Sequence, residues 1–504
     1  MLFSSCIFLF LFLPAVLLVY FCARSIFWRN IVLLLASLFF YSWGELSYCW
    51  VMLSVIAVNY ITAMMIEDSK SANSRKLILT LTIIGNLGLL AWFKYAGFLA
   101  ENANGVLAAL KMPMVNLGVI HLPLGISFFV FHSLSYVVDV FRGTATAQRN
   151  PFNMGLYISL FPQLVAGPIV RYHDVCDQLT QRSHNMDKFT EGIRRFVTGL
   201  GKKMLIANAL AIPTDQIFQL PHSEITMQLA WLGAICYTFQ IYFDFSGYSD
   251  MAVGLGLLFG FKLPENFNHP YSAKSMREFW QRWHMSLSNW FRDYLYIPLG
   301  GNKVSESRTC WNLLVVFFLC GLWHGANWQF VAWGLYHGGF LGAERLLSEK
   351  GRQTASQSGL AGSRQNAGAA GIAPASSGKS NSVLSIVANH AYVALAVIFG
   401  WVLFRAESFP QAMVFYKAML GFGAQSSSYP IAAFLTSEVA CLIVIALFFS
   451  LPLRVYGHKI LAAVPAWKEQ LVSPMRTAWA MAIFALSTLE VASGTYNPFI
   501  YFRF

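Results

Sequence analysis

The chain has 504 residues, 56% of them hydrophobic and only 12% charged, with a mean hydropathy of +0.52. Soluble domains carry about 25% charged residues, so a soluble fold is excluded and an all-α polytopic membrane protein is expected. The net charge of +12 sits on basic residues that punctuate apolar runs, the habit of inner-face loops and not of a nucleic-acid surface.

Met1–Tyr20 is apolar, with no basic start and no small-residue cleavage site, and reads as a retained first span. Phe3–Cys22 leads to Arg24 and Arg29, which places that loop inside and the N terminus outside. Asn30–Trp43 returns outward, and Val51–Ile66 comes back to Lys70, Arg75 and Lys76. Leu77–Phe93 goes out to a segment with little positive charge beyond Lys94 and Lys111, and Leu124–Val140 comes in to Arg142 and Arg149. Phe152–Val170 contains Pro162 and Pro168, so a broken or re-entrant helix is expected there. Arg171–Phe196 reads as a polar inner-surface segment. Gly199–Leu220, interrupted by Pro213, and Met227–Phe243 form an out-and-back pair ending at Asp244–Asp250.

Within Lys274–Tyr296, Trp280, His284, Leu287, Phe291 and Tyr294 recur at three- and four-residue spacing, one face of a single helix. Arg277, Arg282 and Arg292 lie mostly off that face. A basic, Trp-rich amphipathic helix suits a membrane interface or a cavity mouth, but that alone leaves His284 on the apolar face unexplained. Glu349–Ser382 is rich in Gly, Ser and Ala, with scattered Lys and Arg, and reads as a flexible inner linker. It divides a core at 1–348 from the same membrane domain's last helices at 384–504, with the linker at 349–383. Leu384–Phe404, Ile431–Leu451 and Thr477–Ala492 follow as spans, which puts the C terminus outside. The sum is a bundle of about ten or more spans, with broken helices around a central tunnel.

The chain turns on Gly321-Leu-Trp-His-Gly-Ala-Asn327. The apolar run before it, Trp311–Leu322, is about 12 residues and rises only ~18 Å as a helix, against a bilayer core of ~30 Å. If it enters and turns at the glycines around His324, an ionisable imidazole ends deep in the membrane, and such groups default to function. The plain alternative is a core histidine hydrogen-bonded between helices. His324 with His284 supplies a general base and a partner near working pH. No Gly-x-Ser-x-Gly elbow offers a serine nucleophile. Asp244 and Asp250, at a span end, either orient a histidine or pair structurally. Arg171, after Gly167-Pro168, either contacts a phosphate or only shapes a turn. The eight cysteines are scattered singly without a Cys-x-x-Cys pair, and no carboxylate stands at ligand spacing from His324 and His337, so neither a disulfide framework nor a metal site is expected.

Phe161-Pro-Gln-Leu-Val-Ala-Gly-Pro-Ile-Val-Arg171, Asp244-Phe-Ser-Gly-Tyr-Ser-Asp250, Glu278-Phe-Trp-Gln-Arg-Trp-His-Met-Ser-Leu-Ser288 and Gly321-Leu-Trp-His-Gly325, in this order, resemble the membrane-bound O-acyltransferase family, in its bacterial polysaccharide-acylating branch. The resemblance covers nearly the whole chain apart from the linker. It implies that His324 is the essential histidine in a tunnel at membrane depth and that His284 is the second. It implies acetyl-CoA as the donor, with no tightly bound cofactor. The acetyl group would cross the inner membrane, and periplasmic partner proteins would finish its transfer to a polysaccharide such as alginate. Trp323, Asn327, Asp244, Arg171, Trp283 and Arg282 are candidates for substrate or donor binding. Within the family the alternatives are D-alanyl or peptidoglycan O-acyl transfer. Outside it they are a glycan flippase or a scaffold without chemistry.

Overall fold

The computed structural model describes residues 1–357, 382–452, 466–494 and 497–498, with backbone only at 349–357 and 466–473. The regular structure of the described residues is helical, apart from one isolated bridge between Thr226 and Ala424. A π-helical start at Phe8–Phe12 leads into α1 (Leu13–Cys22), followed by α2 (Ile26–Glu45) and α3 (Cys49–Asp68). Ser25 caps α2 by accepting from the Trp28 amide, as an orphan first-turn donor requires. Next come α4 (Ala72–Ala109) and α5 (Ile126–Arg142), the latter stopped by Gly143 in the left-handed region.

Among the described residues, three helical stretches are long and apolar enough to cross a bilayer: Ile26–Asp68, which holds α2 and α3, then Ala72–Ala109 and Val383–Arg405. Phe8–Cys22 and Ser437–Ser450 are apolar but shorter. The N-terminal runs thus fall where the sequence places them, with one correction. α4 does not end at Phe93 but runs 38 residues, so Lys94 lies inside a helix and not in a loop.

Phe152–Val170 is broken, as its prolines require. α6 (Pro151–Ser159) and α7 (Phe161–Leu164) are followed by an irregular stretch to α8 (Tyr172–Val175). Arg171–Phe196 is not merely a surface segment. α9 (Met186–Gly201) begins within it and continues through a π-helical turn, Lys202–Ala207, into α10 (Asn208–Phe218). α11 (Met227–Leu258) runs through the Asp244–Asp250 motif, which is therefore mid-helix and not a span end. α9 and α11 approach closely along paired glycines. A Cβ on Gly247 would stand 2.7 Å from the Gly199 carbonyl, and one on Gly254 would stand 2.7 Å from that of Gly192.

The expected helix over Lys274–Tyr296 is two helices, α12 (Met276–Arg282) and α13 (Met285–Phe291), broken at Trp283-His284. The run Trp311–Leu322 is part of a longer helix, α14 (Glu306–His324), whose 19 residues rise roughly 28 Å. Its shortness is therefore no argument for re-entry. α14 packs against α15 (Trp328–Gln357), with Gly321 and Gly334 face to face. α15 carries helical backbone into the start of the expected linker, and 358–381 lie outside the described residues. α16 (Val383–Arg405), α17 (Phe409–Met419), α18 (Ser437–Ser450) and α19 (Ala466–Ala492) follow among the described residues.

Candidate active site

His324 is the last residue of α14, followed by Gly325 in extended backbone. Its ring is 8% exposed and stands edge-on to Trp333 of α15 and Phe404 of α16, at 5.1 and 5.2 Å between centroids. The preceding Trp323 lies 4.9 Å from it, and on its other side stacks on Phe131 of α5 at 5.5 Å. The same indole meets the ring of His284 at 6.2 Å. The two histidines, forty residues apart in the chain, are thus joined through one tryptophan.

The end of α14 is held from α4. A helix leaves its last carbonyls without intrahelical partners. Here Tyr95 donates to the Leu322 carbonyl at 3.0 Å, and the Lys94 ammonium donates to that of Trp323 and lies 3.5 Å from that of His324. Lys94 also stands 5.8 Å from the Trp323 ring, a cation–π distance. Neither Lys94 nor Tyr95 is a residue the sequence marks. The signal was present, as a cation interrupting an apolar run, but it reads as the end of a span.

His284 sits at the break between α12 and α13 with φ of 45°, the left-handed region, and is 1% exposed. Its ring lies 4.6 Å from Phe245 of α11. Its Nδ1 is 3.0 Å from Asn266 Oδ1. That oxygen also accepts from the Ser286 amide at 3.2 Å and from the Ser286 hydroxyl at 2.9 Å. The Asn266 carbonyl accepts from the Met285 amide at 2.9 Å, and Ser286 Oγ in turn accepts from the Ile169 amide at 2.9 Å. The irregular Gly167–Arg171 stretch is thereby tied to the second histidine. Asn266 lies outside the four quoted motifs, and Ser286, inside the Glu278–Ser288 motif, was not singled out as a site residue.

The remaining candidates are distributed around this centre. Trp283 is buried among Trp401, Phe267 and Phe279, at 4.7, 5.1 and 5.7 Å. Arg282 pairs with Glu278 at 2.8 Å and donates to the Asn268 carbonyl at 3.1 Å. Arg171 pairs with Asp174 at 2.8 Å and with Asp293. Asp244 forms a buried pair with Lys203 at 2.6 Å, and Asp250 pairs with Arg195 and Lys202 at 2.9 and 2.7 Å. The motif between these two acids reaches His284 through Phe245. Asn327 is exposed in the turn before α15, where its carbonyl accepts from the Phe330 amide at 3.2 Å. A further histidine, His337, is buried against Trp333 and Trp280 at 5.0 and 5.1 Å, and neither ring nitrogen has a hydrogen-bond partner among the described residues.

An imidazole buried among aromatic rings can take a proton from a bound hydroxyl. The sequence matches the model of the MBOAT, membrane-bound O-acyltransferase family, over residues 37–357. It is 39% identical to the probable alginate O-acetylase AlgI of Azotobacter vinelandii over the full length of both chains. It is 38% identical to the peptidoglycan O-acetyltransferase of Helicobacter pylori over 70% of this chain and 72% of that one. To the teichoic acid D-alanyltransferase of Bacillus subtilis it is 34% identical over 42% of this chain and 56% of that one.

Proposed function

The chain belongs to the membrane-bound O-acyltransferase family, and from that premise we propose that it O-acetylates an extracytoplasmic polysaccharide, alginate, with acetyl-CoA as the cytosolic donor. The likeness to the Azotobacter alginate O-acetylase over the full length of both chains supports alginate as the acceptor. The observation that carries the site is the pair of buried imidazoles joined through Trp323.

His324 takes the proton of the acceptor hydroxyl as its oxygen bonds to the acyl carbon. The tetrahedral intermediate collapses with cleavage of the carbon–sulfur bond, and the proton passes to the departing thiolate. The products are an acetyl ester and a free thiol. His284 accepts a hydrogen bond from a neighbouring hydroxyl of the acceptor sugar, and the indoles keep bulk water from the acyl carbon. Arg171, Arg282 and Trp283 lie on the donor side. A cofactor phosphate reaching Arg171 competes with Asp174 and Asp293 for the guanidinium. Asp244 holds α11 to the Lys203 turn and acts on the site through Phe245.

In this reading the protein lies in the inner membrane with both termini periplasmic. Interrupted helices complete a bundle of ten or more crossings, 349–383 form a cytoplasmic linker, and periplasmic O-acetylation proteins hold the polysaccharide at the outer face. The test is turnover by the full-length protein in lipid nanodiscs with radiolabelled acetyl-CoA and an alginate oligomer. His324-dependent acetyl transfer supports the proposal. Transport without thioester cleavage, or transfer to peptidoglycan fragments and not to alginate, contradicts it.

A further inference from the structure

His284 holds a backbone conformation that bulky side chains rarely adopt, and such strain persists only where neighbours over-determine it. One residue does so here. Asn266, itself 1% exposed, grips three consecutive residues, His284 through its side chain, Met285 through its carbonyl and Ser286 through its side chain again.

That grip fixes a chemical identity. A backbone amide only donates, so the Asn266 atom facing the Ser286 amide is an oxygen. The same oxygen faces His284 Nδ1 at 3.0 Å, so Nδ1 carries the proton in that bond. In the neutral ring the lone pair then belongs to Nε2. Ser286 Oγ gives its proton to Asn266 and accepts from Ile169, which leaves the direction of the whole chain of bonds unambiguous.

We propose that Asn266 is a positioning residue that locks His284 in the Nδ1-protonated tautomer, so that His284 meets the reacting groups as an acceptor, never as a donor to the acyl carbonyl. Through Ser286 the same residue sets the Gly167–Arg171 stretch against the histidine. The inference rests on the reading of His324 and His284 as the acyl-transfer centre, and it assigns the second histidine's part in it.

The experiment uses the full-length protein in nanodiscs with acetyl-CoA and an alginate oligomer. Asn266→Asp keeps an oxygen that accepts the same three bonds, whereas Asn266→Leu removes it while keeping the same branched skeleton of side-chain heavy atoms. The expected result is a fall in kcat of at least thirtyfold for Asn266→Leu, with KM for acetyl-CoA within threefold of wild type. Asn266→Asp is expected to retain at least a third of kcat. A folded Asn266→Leu protein with wild-type kcat, or an Asn266→Asp protein as impaired as Asn266→Leu, overturns the proposal. Nitrogen NMR of 15N-histidine-labelled wild type, with His284→Gln to identify the signal, reads the tautomer without relying on an Asn266 variant. A proton on Nδ1 supports the assignment and one on Nε2 overturns it. His324→Ala is run beside them. Wild-type turnover there defeats the active-site reading itself, whereas an inactive His324→Ala beside a fully active Asn266→Leu defeats only this inference.

Discussion

Replacing Lys94 with methionine removes the ammonium that meets the last carbonyls of α14 while keeping most of the side chain's length. A hydrogen bond involving a charged group contributes about 1.5–3 kcal/mol. A cation at a helix C terminus adds about 0.3–1 kcal/mol. The lysine is partly buried, so the carbonyls it leaves behind are not freely re-solvated. Taking roughly 2 kcal/mol for the net loss, the seated end of α14 falls about thirtyfold against its alternatives. His324 is the terminal residue of that helix, so the loss is expected in turnover. Lys94→Met should lower kcat about ten- to thirtyfold, with fluorescence-detected gel filtration showing folded protein at normal abundance. Lys94→Arg keeps the charge and the donors and should fall between the two. The assay is acetyl transfer in nanodiscs, with kcat and KM determined separately. Wild-type kcat in a folded Lys94→Met protein would refute the argument that this cap positions the histidine.

Three further outcomes are expected. Gly247→Val places a side chain where a Cβ would already stand 2.7 Å from the Gly199 carbonyl. Overpacking there should cost about 1–3 kcal/mol and lower the melting temperature in detergent; an unchanged value would mean that α9 and α11 are not held by this glycine seam. His337→Leu exchanges an imidazole lacking partners among the described residues for an apolar group, which should leave the melting temperature unchanged or higher; a large drop would show that the imidazole is satisfied in solution. The third concerns the contact between the loops at Glu224 and Ser427–Ser428, which lies outside the membrane helices. The Ser428 amide, then the Ser427 hydroxyl, hold the Glu224 carboxyl below its ordinary value of 4.5. A depressed carboxyl stabilises the contact above its unfolded pKa and loses that contribution as pH falls through the lower, folded one. Hydrogen exchange at 424–428 should therefore be slow at pH 6 and faster in acid; exchange independent of pH after correction for intrinsic rates would contradict this.

Much of the fold is legible because apolar runs bounded by basic residues are a strong signal, as α2, α3, α5 and α16 illustrate. The exceptions share a cause. Trp280, His284, Leu287, Phe291 and Tyr294 keep helical spacing across a break, because the contacts that hold the break come from Asn266, eighteen residues away. Lys94 reads as a span end because a cation in an apolar run is costly on its own. Its partners are carbonyls more than two hundred residues along the chain. The Asp244–Asp250 stretch looks too polar for a helix interior until Lys203, Arg195 and Lys202 on the facing helix are known. The two histidines themselves were legible by residue type and motif. That a single indole joins them was not, since Trp323 has the same apolar character as its many neighbours.

The most direct test of the account is the O-acetyl content of exported alginate in cells whose only copy of this protein carries His324→Ala, with its level in the membrane fraction matched to wild type. The account expects acetyl groups to be lost at normal protein abundance. Alginate that stays fully acetylated would remove His324 from the chemistry and with it the site described here.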